Sequence, residues 1–302
     1  FIDMAAAFLE DVKKKGRPGP ATLKKYRTGL IHHLQPQIGY WDVRHILVPE
    51  YIEVIKKIRD KGEDADQESK PEKKTSKQKK KTSESAAKNA HASFRAMMSW
   101  LAEKEIIYRN PVFGLKDLLK EIEVDPRKRY LSSNEIHKFL NELSRQPIND
   151  DTKLALLIQI HTGLRIGEIC SLEWDKIDFR GRLITHPQSV MKSGKKAETV
   201  MSDAVFRLLA VRRKATLSES GNRVFPKSFN TDHVVSQVQN LKGWIDFGTH
   251  DLRRTVSTYL QELGCPSDVR DMITNHTGPQ GVRRHYDHSN TLQLQLTWLN
   301  QW

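Results

Sequence analysis

His161-Thr162-Gly163-Leu164-Arg165-Ile166-Gly167-Glu168 is the stretch whose reading decides the fold. An apolar-leaning run, Leu154 to Ile160, leads into it from Asn149-Asp150-Asp151. The polar cluster is a helix cap, and the run has the length and composition of a buried helix. Gly163 ends that helix, because glycine tolerates the backbone angles of a tight reversal. Arg165 therefore stands at a turn where a second short helix begins and runs to Ser171. Glu168 follows one helical turn later, placed to orient Arg165. Taken alone, the pattern is also that of a surface Arg–Glu pair on an ordinary helix.

Downstream, His250-Asp251-Leu252-Arg253-Arg254 opens a helix after Gly248-Thr249, with His250 and Arg253 one turn apart on a shared face. His276 follows Arg253 by 23 residues and Tyr286 follows His276 by 10. Between the two arginine segments, Trp174 to Phe179 and Leu183 to His186 read as a hairpin around Arg180-Gly181. A second turn, Met191 to Lys196, precedes a strand expected over Glu198 to Met201. Lys192 stands at the start of that turn, with Lys195 and Lys196 as competitors for its role.

Upstream, four amphipathic helices are expected: Phe1 to Lys15, Ala21 to about Leu34, one opened by Val48-Pro49, and Ser85 to about Lys104. Residues 61–83 lack aromatic and branched aliphatic side chains, acidic at first and then lysine-rich. Such a segment buries too little apolar area to offset its ordering entropy and reads as a mobile insertion, solvated or touching phosphates. Lys88, Asn89, His91 and Arg95 give the fourth helix a polar, basic first half. That half is either a solvated face or a surface for a DNA major groove. Residues 116–129, with Arg127, Lys128 and Arg129 after Pro126, read as the connection to a second domain. Beyond it, Ser132 or Ser133 caps a helix. Further helices are expected over Asp203 to Ala215, Asp232 to Leu241, His250 to Leu263, Ser267 to Ile273 and about Gln280 to His285. The last amphipathic piece, Leu292 to Trp302, is too apolar to remain in water. It packs either on its own domain or on a neighbouring subunit.

The fold expected is mainly α with a small antiparallel β-sheet. It has a helical domain over residues 1–115 and a mixed α+β domain over 130–302, with a tail at 288–302. A chain of 302 residues is long enough for about two domains. Its net charge of +13 calls for a polyanionic partner, nucleic acid before a membrane surface. No run approaches the about 18 apolar residues of a membrane span. Two cysteines make neither a disulfide framework nor a zinc site, so a reducing cytosol is the expected compartment. Because the chain opens on Phe1, residues upstream are expected to be missing.

In this order, Arg165, Lys192, His250, Arg253, His276 and Tyr286 resemble the tyrosine recombinase (phage-type integrase) family. Its pattern is an arginine in a T-G-x-R-x-x-E turn, a hairpin lysine, H-x-x-R, a later His or Trp, and a tyrosine about ten residues on. The match covers Tyr130 to about Ser289, and residues 1–115 resemble the family's core-binding domain more loosely. The family commonly has glycine before the later histidine, where Asn275 stands here. The resemblance implies a site-specific DNA recombinase of a mobile element working through a 3′-phosphotyrosine. It also implies double-stranded DNA with an inverted-repeat core site, a homotetramer on that DNA, DNA-bending accessory proteins, no cofactor and no membrane. A type IB topoisomerase-like enzyme and a DNA-binding protein without strand exchange are the alternatives.

The residue types suit that chemistry on physical grounds. Tyrosine forms covalent phosphoesters, making Tyr286 the nucleophile. Arg165 and Arg253 can donate paired hydrogen bonds to a charged phosphoryl transition state. Lys192 is the candidate general acid for the leaving 5′-oxygen. His250 titrates near neutrality and can exchange a proton with Tyr286, and His276 adds a donor. Glu168 orients. No carboxylate cluster calls for a divalent metal. Tyr26, Tyr40, Tyr51, Tyr108, Tyr130 and Tyr259 are left as structural, and His161, His285 and His288 as structural or phosphate-facing.

Overall fold

The computed structural model describes residues 1–16, 18–64, 76–115, 128–191, 194–216, 221–275 and 288–302. The chain forms two compact units, Phe1–Arg127 and Lys128–Trp302. Among the described residues, no helix is long and apolar enough to cross a membrane.

The first unit is helical. Its elements are α1 (Ile2–Lys15), α2 (Pro20–Arg27), α3 (Gln35–Ile38), α4 (Val48–Asp64) and α5 (Ser76–Glu103). Between α2 and α3, Thr28–Leu34 winds as a wider π-helical segment instead of continuing the regular helix expected there. Pro36, which has no N–H to give the preceding turn, stands just beyond it. Gly29 lies in that segment against α5. A Cβ there would sit 2.9 Å from the Asn89 carbonyl oxygen and closer still to Ser93 Oγ, so only glycine fits. Leu30, Leu34, Ile55, Met97 and Leu101 fill the core, with Tyr51 stacked on Phe94 at 4.3 Å between centroids.

Part of the segment expected as a mobile insertion over residues 61–83 is helical instead. Helix α4 runs through residue 64, and α5 begins at residue 76; residues 65–75 lie outside the described residues. Lysine, glutamine and glutamate are good helix formers, so a polar composition does not by itself exclude helix at residues 61–64 and 76–83.

In the second unit, Ser132 caps α6 (Ser133–Glu142). Its Oγ accepts from Glu135 N, and Glu135 Oε2 accepts from Ser132 N at 2.9 Å. Helix α7 (Asp150–Thr162) is the centre. Asn149 caps it, accepting from Thr152 N at 2.7 Å. Ala155, Leu156, Ile158, Gln159, Ile160 and Thr162 are all buried, so several faces are covered. Then come α8 (Ile166–Cys170) and the strands β1 (Ile177–Asp178), β2 (Leu183–His186) and β3 (Ala197–Val200), in sheet order β1-β2-β3. Both pairings are antiparallel, with Ile177 opposite Ile184 and Ile184 opposite Thr199. The first strand is shorter than expected because Trp174–Lys176 forms a 3₁₀ turn, held by Trp174 N donating to Asn222 O at 2.7 Å.

Helices α9 (Asp203–Ala215), α10 (Thr231–Val238), α11 (Thr249–Glu262), α12 (Ser267–Ile273) and α13 (His288–Gln301) complete the described part. The helix expected over about Gln280 to His285 lies outside the described residues. The terminal apolar piece is helical and packs within its own unit. Leu299 is buried with Val256, Leu260, Val269 and Ile273, and Trp302 Nε1 donates to Ile160 O at 2.7 Å. Asp203 N, at the start of α9, donates to Asn300 Oδ1 at 3.1 Å.

Candidate active site

The site grows from the reversal between α7 and α8. Gly163 has φ of 67°, the left-handed region that glycine enters without strain. Its carbonyl faces back toward α11 and accepts from Arg253 Nη1 at 2.7 Å; Arg253 Nη2 donates to Thr274 O. Arg253 is only 3% exposed, so backbone carbonyls, not water, solvate its charge. Burial, then the cation of Arg165, lowers its pKa to about 10, which leaves it charged at neutral pH.

Arg165 is the residue before α8 and has an extended backbone. Glu168, itself buried, grips it twice: Oε2 accepts from Arg165 N at 3.0 Å and Oε1 from Nη1 at 2.9 Å. Nη1 also donates to Asn275 O at 3.2 Å. Thus the carbonyls of consecutive residues, Thr274 and Asn275, hold the two guanidinium groups just past the end of α12. Among the described residues, nothing takes the Nε and Nη2 donors of Arg165, so an anionic ligand can.

His250 stands partly exposed in the first turn of α11. Partial burial, then the cations Arg254, Arg253 and Arg165, hold its pKa below the ordinary value despite the opposing pull of Asp251. The imidazole is therefore mostly neutral at neutral pH and free to accept a proton. Asp251 is fully buried beneath it, accepting from Gly248 N at 2.9 Å and from Arg254 Nη1 at 3.2 Å.

Asn275, standing where the family commonly has glycine, has φ of 49°. Asparagine tolerates the left-handed region better than other non-glycine residues, so it can occupy this turn. Sequence reasoning assigned Asn275, Thr274 and Asp251 no role. The one local signal was an asparagine at a glycine position.

Four expected site residues are thus placed, and Arg165, Glu168 and Arg253 are brought together around the Gly163 and Asn275 turns. Lys192, His276 and Tyr286 lie outside the described residues. Of the lysines weighed against Lys192, both are exposed, and Lys196 pairs with Glu198 at 3.1 Å.

The expected DNA-facing residues divide. Lys88 and Asn89 are exposed on α5, and Arg95 lies under the Phe113 ring, 4.9 Å from its centroid. His91 is a correction: it is 1% exposed, with Nδ1 2.9 Å from the Tyr51 hydroxyl. Ala87, Phe94 and Met98, three to seven residues away, are buried on the same helical face, and His91 belongs with them. Arg127 lies outside the described residues, and Lys128 is exposed. Arg129 is spent within its own unit, on Glu135 Oε1 and the Asp246 carbonyl, both at 2.9 Å.

A helical unit bearing a three-stranded antiparallel sheet, with an arginine pair at its helix junctions, has the fold of integrase-type catalytic domains. The chain aligns with a lambda integrase tetramer solved on a Holliday junction at a TM-score of 0.66 and 16% identity, covering 94% of this chain and 78% of that one. It aligns with the Tn1549 transposon integrase, solved with circular intermediate DNA, at 0.62 and 17%, covering 96% and 94%. The chain belongs to the phage integrase family, which residues 129–293 match. It is 28% identical over 202 residues to the integrase of Shigella phage Sf6, covering 64% of this chain and 51% of that protein. To the prophage integrase IntA of Escherichia coli (strain K12) it is 25% identical over 232 residues, covering 72% and 55%. The chain thus spans about half the length of these curated relatives.

Proposed function

We propose that this chain cleaves and rejoins DNA strands as the catalytic part of a site-specific recombinase of a mobile element. The observation that carries this reading is the arginine pair. Two guanidinium groups are fixed by backbone carbonyls and one buried carboxylate, with Arg165 donors left over for a phosphate. Preorganised donors of this kind stabilise charge that develops on non-bridging phosphoryl oxygens.

In the proposed step, Tyr286 Oη attacks phosphorus and the bond to the 5′-oxygen breaks, leaving a 3′-phosphotyrosine. His250, neutral before the reaction, takes the tyrosine proton. Lys192 gives a proton to the departing 5′-oxygen, and His276 adds a hydrogen bond to the phosphate. Rejoining is the reverse, with a 5′-hydroxyl attacking the phosphotyrosine. The partner is double-stranded DNA carrying an inverted-repeat core, engaged through exposed cations such as Lys88 and Lys128 and bound by a homotetramer.

A DNA duplex nicked beside the cleavage position, built from inverted repeats flanking the gene, tests this. The nick lets the short fragment diffuse away, so a covalent adduct accumulates. Wild type should form the adduct, while Tyr286→Phe should bind the DNA and form none. An adduct with Tyr286→Phe refutes the nucleophile assignment. Strand exchange between two duplexes separates recombination from topoisomerase-like relaxation.

A further inference from the structure

Behind the arginine pair runs a series of buried polar groups that the proposed reaction does not use. His186 on β2 is 2% exposed, Thr199 on β3 1%, and Asn275 6%. Thr199 Oγ1 lies 3.0 Å from His186 Nε2 and accepts from Asn275 Nδ2 at 3.3 Å. The Asn275 carbonyl in turn accepts from Arg165. Burial keeps the His186 imidazole below its ordinary pKa and so neutral, which suits Nε2 as the acceptor of the threonine hydrogen. The threonine lone pairs then remain for Asn275.

His186 pairs with Ala197, so residues 187–196 form the hairpin connection that carries Lys192. The polar series therefore joins the base of that hairpin to the turn holding both guanidinium groups. Apolar side chains of similar volume would fill the same space without needing partners, so packing alone does not demand these residues.

We infer that Thr199 is a positioning residue for strand cleavage: through Asn275, its hydroxyl fixes the turn whose carbonyls hold Arg165 and Arg253, and ties that turn to the hairpin base. The inference rests on the reaction proposed above, and Thr199 itself touches no substrate. A supporting shell of this kind matters because small misplacements of a transition-state donor cost rate steeply.

Thr199→Val removes the hydroxyl and keeps the shape; Thr199→Ser keeps the hydroxyl. In single-turnover cleavage of nicked DNA at saturating protein, Thr199→Val should be slower by about tenfold with unchanged DNA affinity, and Thr199→Ser should recover most of the rate. In an Arg165→Lys background, Thr199→Val should cost clearly less than in the wild type, because one of the two donors the turn positions is already lost. An unchanged rate with only a lower melting temperature overturns the inference, as does the same loss in both backgrounds. If Thr199→Val does not fold, Asn275→Gly replaces it. That variant keeps the carbonyl and the left-handed turn, loses the amide, and should show the same background-dependent loss. If the wild type forms no adduct, the reaction reading fails by itself. Positioning is then decided by the Arg165 Nε–H resonance in ¹⁵N NMR: displaced in Thr199→Val but not in Thr199→Ser supports it, and unmoved in both overturns it.

Discussion

Each unit buries polar side chains, and the two do so in opposite ways. In the first, the Tyr51 hydroxyl and His91 Nδ1 meet at 2.9 Å inside an aromatic cluster, and each satisfies the other. Burial pushes the Tyr51 pKa well up and the His91 pKa down, so both are neutral and closed to solvent. In the second, Arg165 and Arg253 are pinned by Gly163, Thr274 and Asn275 carbonyls, yet Arg165 remains 29% exposed at the side chain. A closed pair serves packing. A cation held from behind and open in front can bind an anion. Burial alone does not separate a closed polar group from one that can bind a ligand; unspent donors do.

The largest effect expected from breaking this contrast is on the open side. Arg165→Ala and Arg253→Ala should each slow single-turnover cleavage by at least about 100-fold. Arg253→Ala should also lower stability by about 1–3 kcal/mol in urea unfolding, because it orphans two carbonyls. Near-normal cleavage by either variant would remove that arginine from the site.

Deleting residues 292–302 should come next. It uncovers Val256, Leu260, Val269 and Ile273 and leaves the Ile160 carbonyl without Trp302. The second unit should lose several kcal/mol, roughly 10 °C in melting temperature. An unchanged transition would mean that the helix docks elsewhere, and sedimentation on two-site DNA would then test a neighbouring subunit as its seat.

On the closed side, His91→Leu should cost about 1–3 kcal/mol by stranding the Tyr51 hydroxyl, and adding Tyr51→Phe should recover much of that. DNA affinity measured well below the unfolding temperature should not change in either variant. A specific loss of affinity in His91→Leu would restore His91 to the DNA-facing set.

The smallest effect is a pH slope. His91, His161, His186 and His250 all have pKa values held below the ordinary 6.5, chiefly by burial. The unfolded chain therefore binds more protons through that window, so stability rises with pH there. These contributions are complete above about pH 7 and fade as the pH falls through 6.5 toward the depressed folded values. Melting temperature should drop on acidification, and less steeply in the His91→Leu, Tyr51→Phe double variant. A melting temperature that climbs between about pH 7 and about pH 5.5 contradicts this.

The sequence by itself determined whatever is local in the chain. Gly163 as a helix stop, Arg165 as a turn residue, Glu168 one turn on and the His250–Arg253 spacing are contacts within a few residues, and pattern reveals them. It also carried the helical class, the β2–β3 hairpin and, by resemblance, the family. His91 is legible too, since helical period places it with Ala87, Phe94 and Met98, and a polar side chain need not be exposed. Tertiary structure decided the rest. Trp174 turns instead of extending because Asn222, far along the chain, takes its N–H. Arg129 is spent on Glu135 and Asp246. The two arginines are fixed by carbonyls of residues 163, 274 and 275, and Thr199 reaches Asn275 across 76 residues. Backbone carbonyls leave no mark in a sequence, because every residue has one. Which of them faces a buried cation is settled only when distant segments pack.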